Sequence, residues 1–412
     1  MGSTQPDLYH VIETIPAALS LPRGFSLYTN FPDTVKIKTL SVVALPTYFY
    51  TRYMHRLSVF AFIFSVFTAA AVNAQLTQTG MIRYPEEKHF GNVRQLTFGG
   101  DNAEAYFGFD NTHFTFQRTN PKEGLHCDQI FYGTLPVKTT DSFKYKRVST
   151  GKGRTTCAYL MPDKKHFLYA STHKAADTCP PVPDRSKLKK YVWPVYDSYD
   201  IFLAGFDGKI TKQLTKTPGY DAEATVSPKG DKIIFTSMRN GDLDLYVMDI
   251  DGKNVKQITN TLGYDGGAWF SHDGKKIVWR ASRPKTEKEV KEYKDLLAQG
   301  LVMPTQMEVF VANADGSNVQ QVTSLGKANW APNFTPDDKQ IIFASNHEYE
   351  RGFPFNMYRA DLNGKGLEKI SRDKGFDAFP MFSYDGKKIM FSSNRNSGGG
   401  YDINLFMADW IE

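Results

Sequence analysis

Residues 227–235 read SPKGDKIIF, and this segment returns three more times as the chain proceeds. The clear copies are SHDGKKIVW at 271–279, TPDDKQIIF at 335–343 and SYDGKKIMF at 383–391. Weaker copies begin at Phe109 and Met161, so consecutive copies start 52, 66, 44, 64 and 48 residues apart. A period of about 40–50 residues is typical of a four-stranded propeller blade, and the longer spacings therefore predict insertions.

Each repeat contains four short strands separated by turn residues. Around the first quoted copy, we predict an inner strand at 222–227, a second at 232–237, a third at 244–249 and an outer strand at 255–259. The alternation and the β-branched content favour strands, and Lys-Gly or Asp-Gly pairs supply the positive φ of tight hairpin turns. Six such repeats predict an all-β protein, a six-bladed β-propeller of four-stranded blades.

The two ends of the repeat array predict how the ring closes. An outer-type strand at 93–97 precedes the first repeat, whereas the chain stops after a third-type strand at 403–409. The N-terminal strand should therefore complete the last blade, which removes the exposed edges of an open sheet. We expect one propeller domain over 93–412, preceded by a short lead-in at 75–92.

The first 74 residues carry the pattern of an export signal. The apolar run LSVFAFIFSVFTAAAV at 57–72 follows Met54 and Arg56, and a small-x-small pattern precedes Gln75. This layout is typical of a secretory signal peptide at 54–74, which makes residues 1–53 upstream sequence translated in error. The alternative is an uncleaved anchor, but the run is short for a membrane span. We expect a periplasmic or secreted protein with no stable membrane insertion after cleavage.

Composition and motifs exclude several functions. The formal charge of +6 is dispersed among acidic residues without a basic run, so nucleic acid is not an expected partner. The chain contains no Gly-x-Ser-x-Gly elbow, no His-Glu-x-x-His pair and no phosphate-binding loop. Hydrolase chemistry is therefore unsupported, and the sequence favours a protein that is not an enzyme.

Four segments carry a family resemblance: KQLT at 212–215, YDAEATVSPKG at 220–230, IIFTSMR at 233–239 and DLYVMDIDG at 244–252. They resemble the WD-like repeat of the TolB-like six-bladed β-propellers, and the resemblance covers residues 90–412. It implies an exported, monomeric protein-binding or scaffold module of the cell envelope, with an envelope or secreted protein as partner. The family also includes lyases and peptidase-associated propellers. The alternative is thus a channel-mouth enzyme or carbohydrate-binding protein.

The long connections all fall on one rim of the expected channel. They occupy 120–125, 173–199, 283–306 and 347–356, and long loops gathered on a rigid scaffold mark a functional face. A capping box at 286–289 predicts a helix with Val290 and Leu297 inward, which either binds a partner or shields the blade ends. The aromatic segment 191–196 either walls a pocket or packs on the blade beneath.

Carboxylates and arginines collect on the same rim. The candidate channel-rim residues are Asp101, Glu104, Asp221, Glu223, Asp265, Asp377, Arg239 and Arg395. Asp221, Asp265 and Asp377 together predict a possible calcium site, because calcium takes six to eight oxygen ligands. Pairing of these acids with the arginines of the same rim is the structural alternative, and acid-base chemistry by the carboxylates is the enzymatic one.

Histidines and cysteines complete the set of candidates. His173 and His347 fall on the rim. Some lyases of the family bind a channel metal through histidine, and the resemblance makes these two residues and His126 the candidate ligands in this chain. Of the three cysteines, Cys157 and Cys179 are the favoured disulfide in an exported protein, because both belong to blade two. Cys127 is the rival partner, and one thiol remains in either case.

The export hypothesis predicts the N-terminus of the native protein. Cleavage after Ala74 should leave Gln75 as the first residue, since the small side chains before it match the cleavage pattern. N-terminal sequencing of the protein from its native host measures this directly. A terminus at Met1, or one inside the apolar run, would contradict signal-peptide processing.

Overall fold

A computed structural model describes residues 82–136, 141–350, 352, 354–398 and 400–412. The expected signal peptide at 54–74, the segment 1–53 and the first part of the lead-in, 75–81, lie outside the described residues. Among the described residues, no helix has the length and apolar character needed to cross a membrane.

Strand β1 (Phe90–Gln95) precedes all the blades in the sequence. Each blade is a four-stranded antiparallel sheet. Blade one contains β2 (Asp101–Phe107), β3 (His113–Asn120), β4 (Leu125–Thr134) and β5 (Lys144–Arg147), with a short 3-10 helix, Pro121–Glu123, between β3 and β4. Blade two contains β6 (Thr155–Leu160), β7 (His166–Ser171), β9 (Asp200–Gly205) and β10 (Ile210–Gln213), with α1 (Arg185–Leu188) and β8 (Trp193–Pro194) in its insert. Blade three contains β11 (Asp221–Val226), β12 (Lys232–Ser237), β13 (Asp244–Asp249) and β14 (Lys256–Gln257).

The other three blades repeat this order. Blade four contains β15 (Asp265–Phe270), β16 (Lys276–Ala281), β18 (Glu308–Asn313) and β19 (Gln320–Gln321), with α2 (Glu287–Leu297) and β17 (Leu301–Val302) in its insert. Blade five contains β20 (Asn329–Phe334), β21 (Gln340–Ser345), β22 (Asn356–Asp361) and β23 (Glu368–Lys369). Blade six contains β24 (Asp377–Phe382), β25 (Lys388–Ser393) and β26 (Asn404–Trp410).

Strand β1 supplies the fourth strand of blade six and closes the ring. It pairs antiparallel with β26, with Phe90 opposite Trp410 and Gln95 opposite Phe406. The prediction of a six-bladed propeller closed by its N-terminal strand is therefore confirmed. The pairing joins the two ends of the repeat array in one blade and gives blade six the same four strands as the other blades.

The second strands read as nearly continuous apolar runs because neighbouring blades cover both faces of each sheet. In β12, every residue except Lys232 is buried, and β16 and β25 follow the same pattern. Large side chains such as Phe114, Phe235 and Trp279 fill the space between blades. Burial on both faces is what such uninterrupted β-branched and aromatic runs require.

The densest buried charge cluster ties the lead-in to blade six. The Arg395 guanidinium contacts Glu87 at 2.9 Å and Asp377 at 2.8 Å, and all three side chains are withdrawn from water. The Glu87 side chain also accepts hydrogen bonds from the backbone N–H groups of Tyr84 and Arg372. Removing one member of such a cluster leaves the others charged in a low-dielectric interior.

Substitution of this arginine should strongly destabilise the fold. Arg395→Leu leaves two buried carboxylates unpaired and should cost about 3–5 kcal/mol in the free energy of unfolding. The matched control is Arg239→Leu at the same repeat position, because Arg239 faces the single carboxylate of Asp221 and is partly exposed. Chemical denaturation measures both losses. Equal losses for the two variants would contradict this account of the cluster.

Candidate functional site

Each inner strand carries a β-bulge, at the fourth residue of β2 and at the third residue of the other five inner strands, and the bulged residue lies in the left-handed φ region. In β11 the register shifts between Ala222 and Thr225, and Glu223 has φ 57°. The six equivalent residues are Glu104, Cys157, Glu223, Gly267, Ala331 and Phe379. Together they line the central channel. Five of the six are not glycine, so the fold maintains strained backbone around the whole channel wall.

Two inserts cap the channel on the long-loop rim. Strand β8 of the blade-two insert pairs antiparallel with β17 of the blade-four insert, with Leu301 opposite Pro194 and Val302 opposite Trp193. Val192, Leu296 and Leu301 form a buried cluster behind this small sheet. The cap is thus a packed structure shared by two blades.

Helix α2 forms as its sequence predicts. Thr286 and Glu289 make the reciprocal hydrogen bonds of a capping box, and Tyr293, Leu296 and Leu297 are buried. Val290, expected to face inward, is only half-buried. The Tyr293 hydroxyl donates to the Asp242 carboxylate, so the inner side of the helix is occupied by its own propeller. The shielding alternative therefore describes its apolar face.

Beneath the cap, the channel holds a cavity of about 180 Å³. Trp193, Tyr196 and Val302 line it from the cap, and the bulged residues of the inner strands line its sides. Aromatic rings close the opposite end, where Trp269 contacts Tyr106 and Tyr159 at centroid distances of 4.7 and 5.8 Å. The aromatic segment 191–196 therefore does wall a pocket.

One wall of the cavity is built around the Glu104 carboxyl. Its Oε2 accepts hydrogen bonds from the Tyr106 hydroxyl and the Cys157 thiol, both at 2.9 Å. Burial raises the pKa of Glu104, with a further contribution from Glu223, and these outweigh the two hydrogen bonds, which lower it. Burial likewise raises the pKa of the Cys157 thiol well above its usual value. Burial therefore opposes the charged forms of both groups on this wall.

The adjoining wall contains an ion pair. Arg280 Nη2 donates to Glu223 Oε1 at 2.6 Å and to the Tyr264 hydroxyl at 2.8 Å. Although burial opposes ionisation of Glu223, Arg280 and the surrounding hydrogen bonds hold its pKa below the usual value. Gly267 makes the arrangement possible, because a Cβ there would lie 1.9 Å from Arg280 Nη1.

The opposite side of the cavity is apolar. Trp193 and Trp330 meet at a centroid distance of 5.0 Å, and Ala331 and Phe379 occupy the third-residue positions of blades five and six. The cavity therefore combines a polar wall from blades one to four with an aromatic wall from the cap and blades five and six. Such a combination is typical of small-ligand pockets.

The structure pairs the rim carboxylates of the proposed calcium site with arginines. Asp221 binds Arg239 at 3.1 Å, Asp265 binds Arg283 at 2.6 Å and Asp377 binds Arg395 at 2.8 Å, each within its own blade. Among the described residues, no group of three or more histidine, cysteine, aspartate or glutamate side chains converges in a way that would hold a metal ion. Each of the three carboxylates faces its own arginine, so the structure favours the structural alternative of ion pairing for them.

Asp101 also lies outside the cavity wall. It sits at the inner edge of blade one, where Ile403 N–H donates to its Oδ1 at 3.4 Å. Burial raises the pKa of Asp101 to about 7, against the lowering effect of this hydrogen bond. Asn102, one residue later, holds the position of Asp221 and accepts a hydrogen bond from Arg118 Nε at 3.0 Å.

In blades two and five the inner strand does not begin with aspartate, and a histidine stands where blades three and six have the rim arginine. His173 Nδ1 lies 2.9 Å from the Ser171 hydroxyl, and His347 Nδ1 lies 2.9 Å from the Ser345 hydroxyl. Their rings pack on Phe202 and on Tyr358. Burial lowers the pKa of both histidines. With His126 exposed on β4, the three do not assemble a metal site.

The disulfide joins Cys127 to Cys179, with a Cα–Cα distance of 5.9 Å. The favoured pairing of Cys157 with Cys179 is therefore wrong, and the rival pairing is the one formed. Cys157 occupies the bulge of β6, which directs its thiol into the channel toward Glu104. Cys179 lies in the insert, where it ties the cap to blade one.

Of the candidate rim residues, only Glu104 and Glu223 line the cavity. Sequence reasoning missed Cys157, Arg280 and the tryptophans as cavity residues. A signal existed, because aligning the repeats places Cys157 and Glu104 at the position of Glu223, two residues after Asp221. The tryptophans offered no such signal, since Trp193 reaches the cavity only through the folding of an insert.

These features define a capped six-bladed β-propeller with a ligand-sized channel cavity. The family model described as the TolB beta propeller domain matches residues 182–305 of this propeller. This match, together with the six-bladed arrangement, confirms the resemblance drawn from the repeats. No curated protein matches the chain.

Solved structures similar to this chain include two TolB proteins and a lyase. A protein assigned as TolB from Agrobacterium tumefaciens is 17% identical, with a TM-score of 0.48, over 76% of this chain and 91% of that one. TolB from Acinetobacter baumannii is 18% identical, with a TM-score of 0.44, over 76% of this chain and 64% of that one. An oligogalacturonate lyase in complex with manganese is 14% identical, with a TM-score of 0.45, over 80% of this chain and 96% of that one.

The raised pKa of Glu104 predicts a pH dependence of stability. The folded state holds this proton to higher pH than the unfolded state, so stability from this group is complete below the ordinary pKa of 4.5 and falls as pH rises. Glu104→Gln keeps the acceptor for Tyr106 and Cys157 and cannot ionise. Its melting temperature relative to that of the native protein should therefore rise as the pH increases above the ordinary pKa of 4.5.

Glu123→Gln is the control of opposite sign. Arg118 holds the pKa of Glu123 below its ordinary value, so this variant should lose stability relative to the native protein as pH rises. Calorimetry at a series of pH values measures both differences. A melting-temperature difference between Glu104→Gln and the native protein that stays constant with pH would contradict the raised pKa of Glu104.

Proposed function

We propose that the protein is an exported TolB-like propeller that binds a protein partner in the cell envelope, either in the periplasm or after secretion. The TolB-like fold supports a protein-binding envelope module at the level of the family. The export pattern at 54–74 supports the location. A monomer that binds no nucleic acid fits the closed ring and the dispersed charge.

The observation that carries this proposal is the difference between the two faces of the propeller. The inserts of blades two and four build the cap on one face, whereas short turns such as Asp251-Gly252 connect the strands on the other. Rigid loops presented on a scaffold are the usual location of binding residues. We define the outer surface of the cap by α1, α2 and their flanking residues.

The cap has the rigidity expected of a preformed binding surface. Cys179 fixes the start of the blade-two insert, and Val195 N–H donates to Gly300 O at 2.7 Å across the two inserts. Lys190 also forms an ion pair with Glu292 of α2. A surface ordered before binding loses less conformational entropy when the partner arrives.

The solvent side of the cap is rich in lysine. The exposed lysines are Lys187, Lys189, Lys190, Lys285, Lys288, Lys291 and Lys294. Glu287, Glu289 and Asp295 lie among them, so the surface is mixed in sign with an excess of positive charge. This pattern favours a partner with an acidic patch, because complementary charge increases the rate of encounter and selects the partner.

Four residues were proposed for the enzymatic alternative. Asp221, Asp265 and Asp377 bind arginines of their own blades, whereas Glu223 lines the cavity and pairs there with Arg280. For the carbohydrate-binding alternative, the candidate site is the cavity below the cap and not the rim carboxylates.

Site-specific photo-cross-linking in the native host tests partner binding. A cross-linkable residue at Lys288 or Lys187 should capture one defined envelope or secreted protein, because both positions lie on the cap. The control position is Lys253, exposed in a tight turn of the opposite face, which should capture none. Capture of the same protein from Lys253, or of no protein from either cap position, would contradict the proposal.

A further inference from the structure

The cavity below the cap contains polar groups directed at its interior. Tyr106 and Cys157 both donate to Glu104 Oε2, and no residue that the structure describes donates to Oε1. The Tyr199 and Tyr220 hydroxyls belong to residues that line the cavity and likewise make no hydrogen bond to a described residue. Polar groups inside a protein are normally paired, so these three are available to a ligand.

The charges around the cavity balance. The Glu223 carboxylate pairs with Arg280 at 2.6 Å, and the Asp128 carboxylate pairs with Arg154 at 2.9 Å. Both pairs line the cavity, and burial raises the pKa of the remaining carboxyl, Glu104, and so opposes its charged form. A charged ligand would bring an uncompensated charge into this space at a high desolvation cost. The cavity is therefore suited to a neutral molecule.

Size and shape restrict the ligand further. A cavity of about 150 Å³ accommodates benzene in another protein, so the 180 Å³ present here corresponds to one substituted six-membered ring. Trp193, Trp269 and Trp330 line the cavity and give it an apolar aromatic wall. A purely apolar ring would leave the convergent donors and acceptors unpaired, which strongly disfavours it. The ring must carry several hydroxyl groups.

We propose that the capped channel binds one neutral sugar ring, a pyranose packed against the tryptophan wall and hydrogen-bonded by Glu104, Tyr199 and Tyr220. The ring is held as a free monosaccharide or as the terminal residue of a neutral glycan. This inference goes beyond the proposed protein-binding function, because its residues lie beneath the cap and not on its outer surface.

Tryptophan fluorescence and calorimetry on the full mature protein test the proposal. The probes are glucose, galactose, mannose and N-acetylglucosamine, with maltose and cellobiose as neutral disaccharides. Glucuronate, galacturonate and glucosamine are the charged counterparts. At least one neutral sugar should bind saturably, and its charged counterpart should bind at least about tenfold more weakly because of desolvation. A disaccharide that binds with the same tyrosine dependence supports the terminal-residue form of the site.

Single-hydroxyl variants assign the binding to this cavity. Tyr199→Phe and Tyr220→Phe remove hydroxyls that make no hydrogen bond to a described residue, so folding should be unaffected. Each should weaken sugar binding about three- to tenfold, the range for one lost hydrogen bond. Tyr246→Phe is the matched control, because its buried hydroxyl also lacks a partner among the described residues but lies outside the cavity.

Three results would overturn the inference. The first is that no neutral sugar binds up to about 50 mM, where even a site with a millimolar dissociation constant would be saturated. The second is that only the charged sugars bind. The third is that the Tyr220→Phe and Tyr246→Phe variants bind the sugar equally well. Cross-linking at the cap is scored separately, so failure of the sugar site leaves the protein-partner proposal intact. The reverse result is equally distinguishable.

Discussion

The geometry of the channel depends on one backbone feature, the β-bulge that every inner strand carries at the equivalent position of the repeat. A regular strand would alternate its side chains between the two faces of its blade, and none would point along the blade into the channel. The bulge and its positive φ turn one residue per blade toward the axis. The chain thereby obtains six independently variable positions on one rigid ring, of which Glu104, Cys157 and Glu223 are polar.

Charge is arranged differently in the blades and in the channel. At the first position of the inner strand, Asp221, Asp265 and Asp377 each face an arginine of the same blade, and these pairs hold the sheet ends together. Two residues further along the same strands, the side chains face the cavity. The first residue of the inner strand thus takes part in a structural ion pair, whereas the residue two positions later is available to a ligand. This explains why the acidic rim holds no assembled metal site among the described residues.

The repeat predicts the blade number, the strand order and the closure by β1, because each depends on local turns and periodicity that recur along the chain. It also places the inserts on one face and α2 within the third of them. The repeat does not predict the disulfide pairing or the cavity. Whether Cys127 or Cys157 reaches Cys179 depends on the bulge of β6, and the pairing of β8 with β17 joins segments about 100 residues apart. Contacts of that kind leave no local pattern.

The cap belongs to both proposed sites, and this has a thermodynamic consequence. Trp193 and Val302 pair with each other in the small sheet and line the cavity, while α1 and α2 of the same inserts form the outer surface. A ligand that orders the inner side of the cap reduces the entropy that a partner must remove from its outer side. Because linkage is reciprocal, the partner then strengthens ligand binding by the same factor. The disulfide at Cys179 limits the size of this coupling, since it restricts how far the cap can open from blade one.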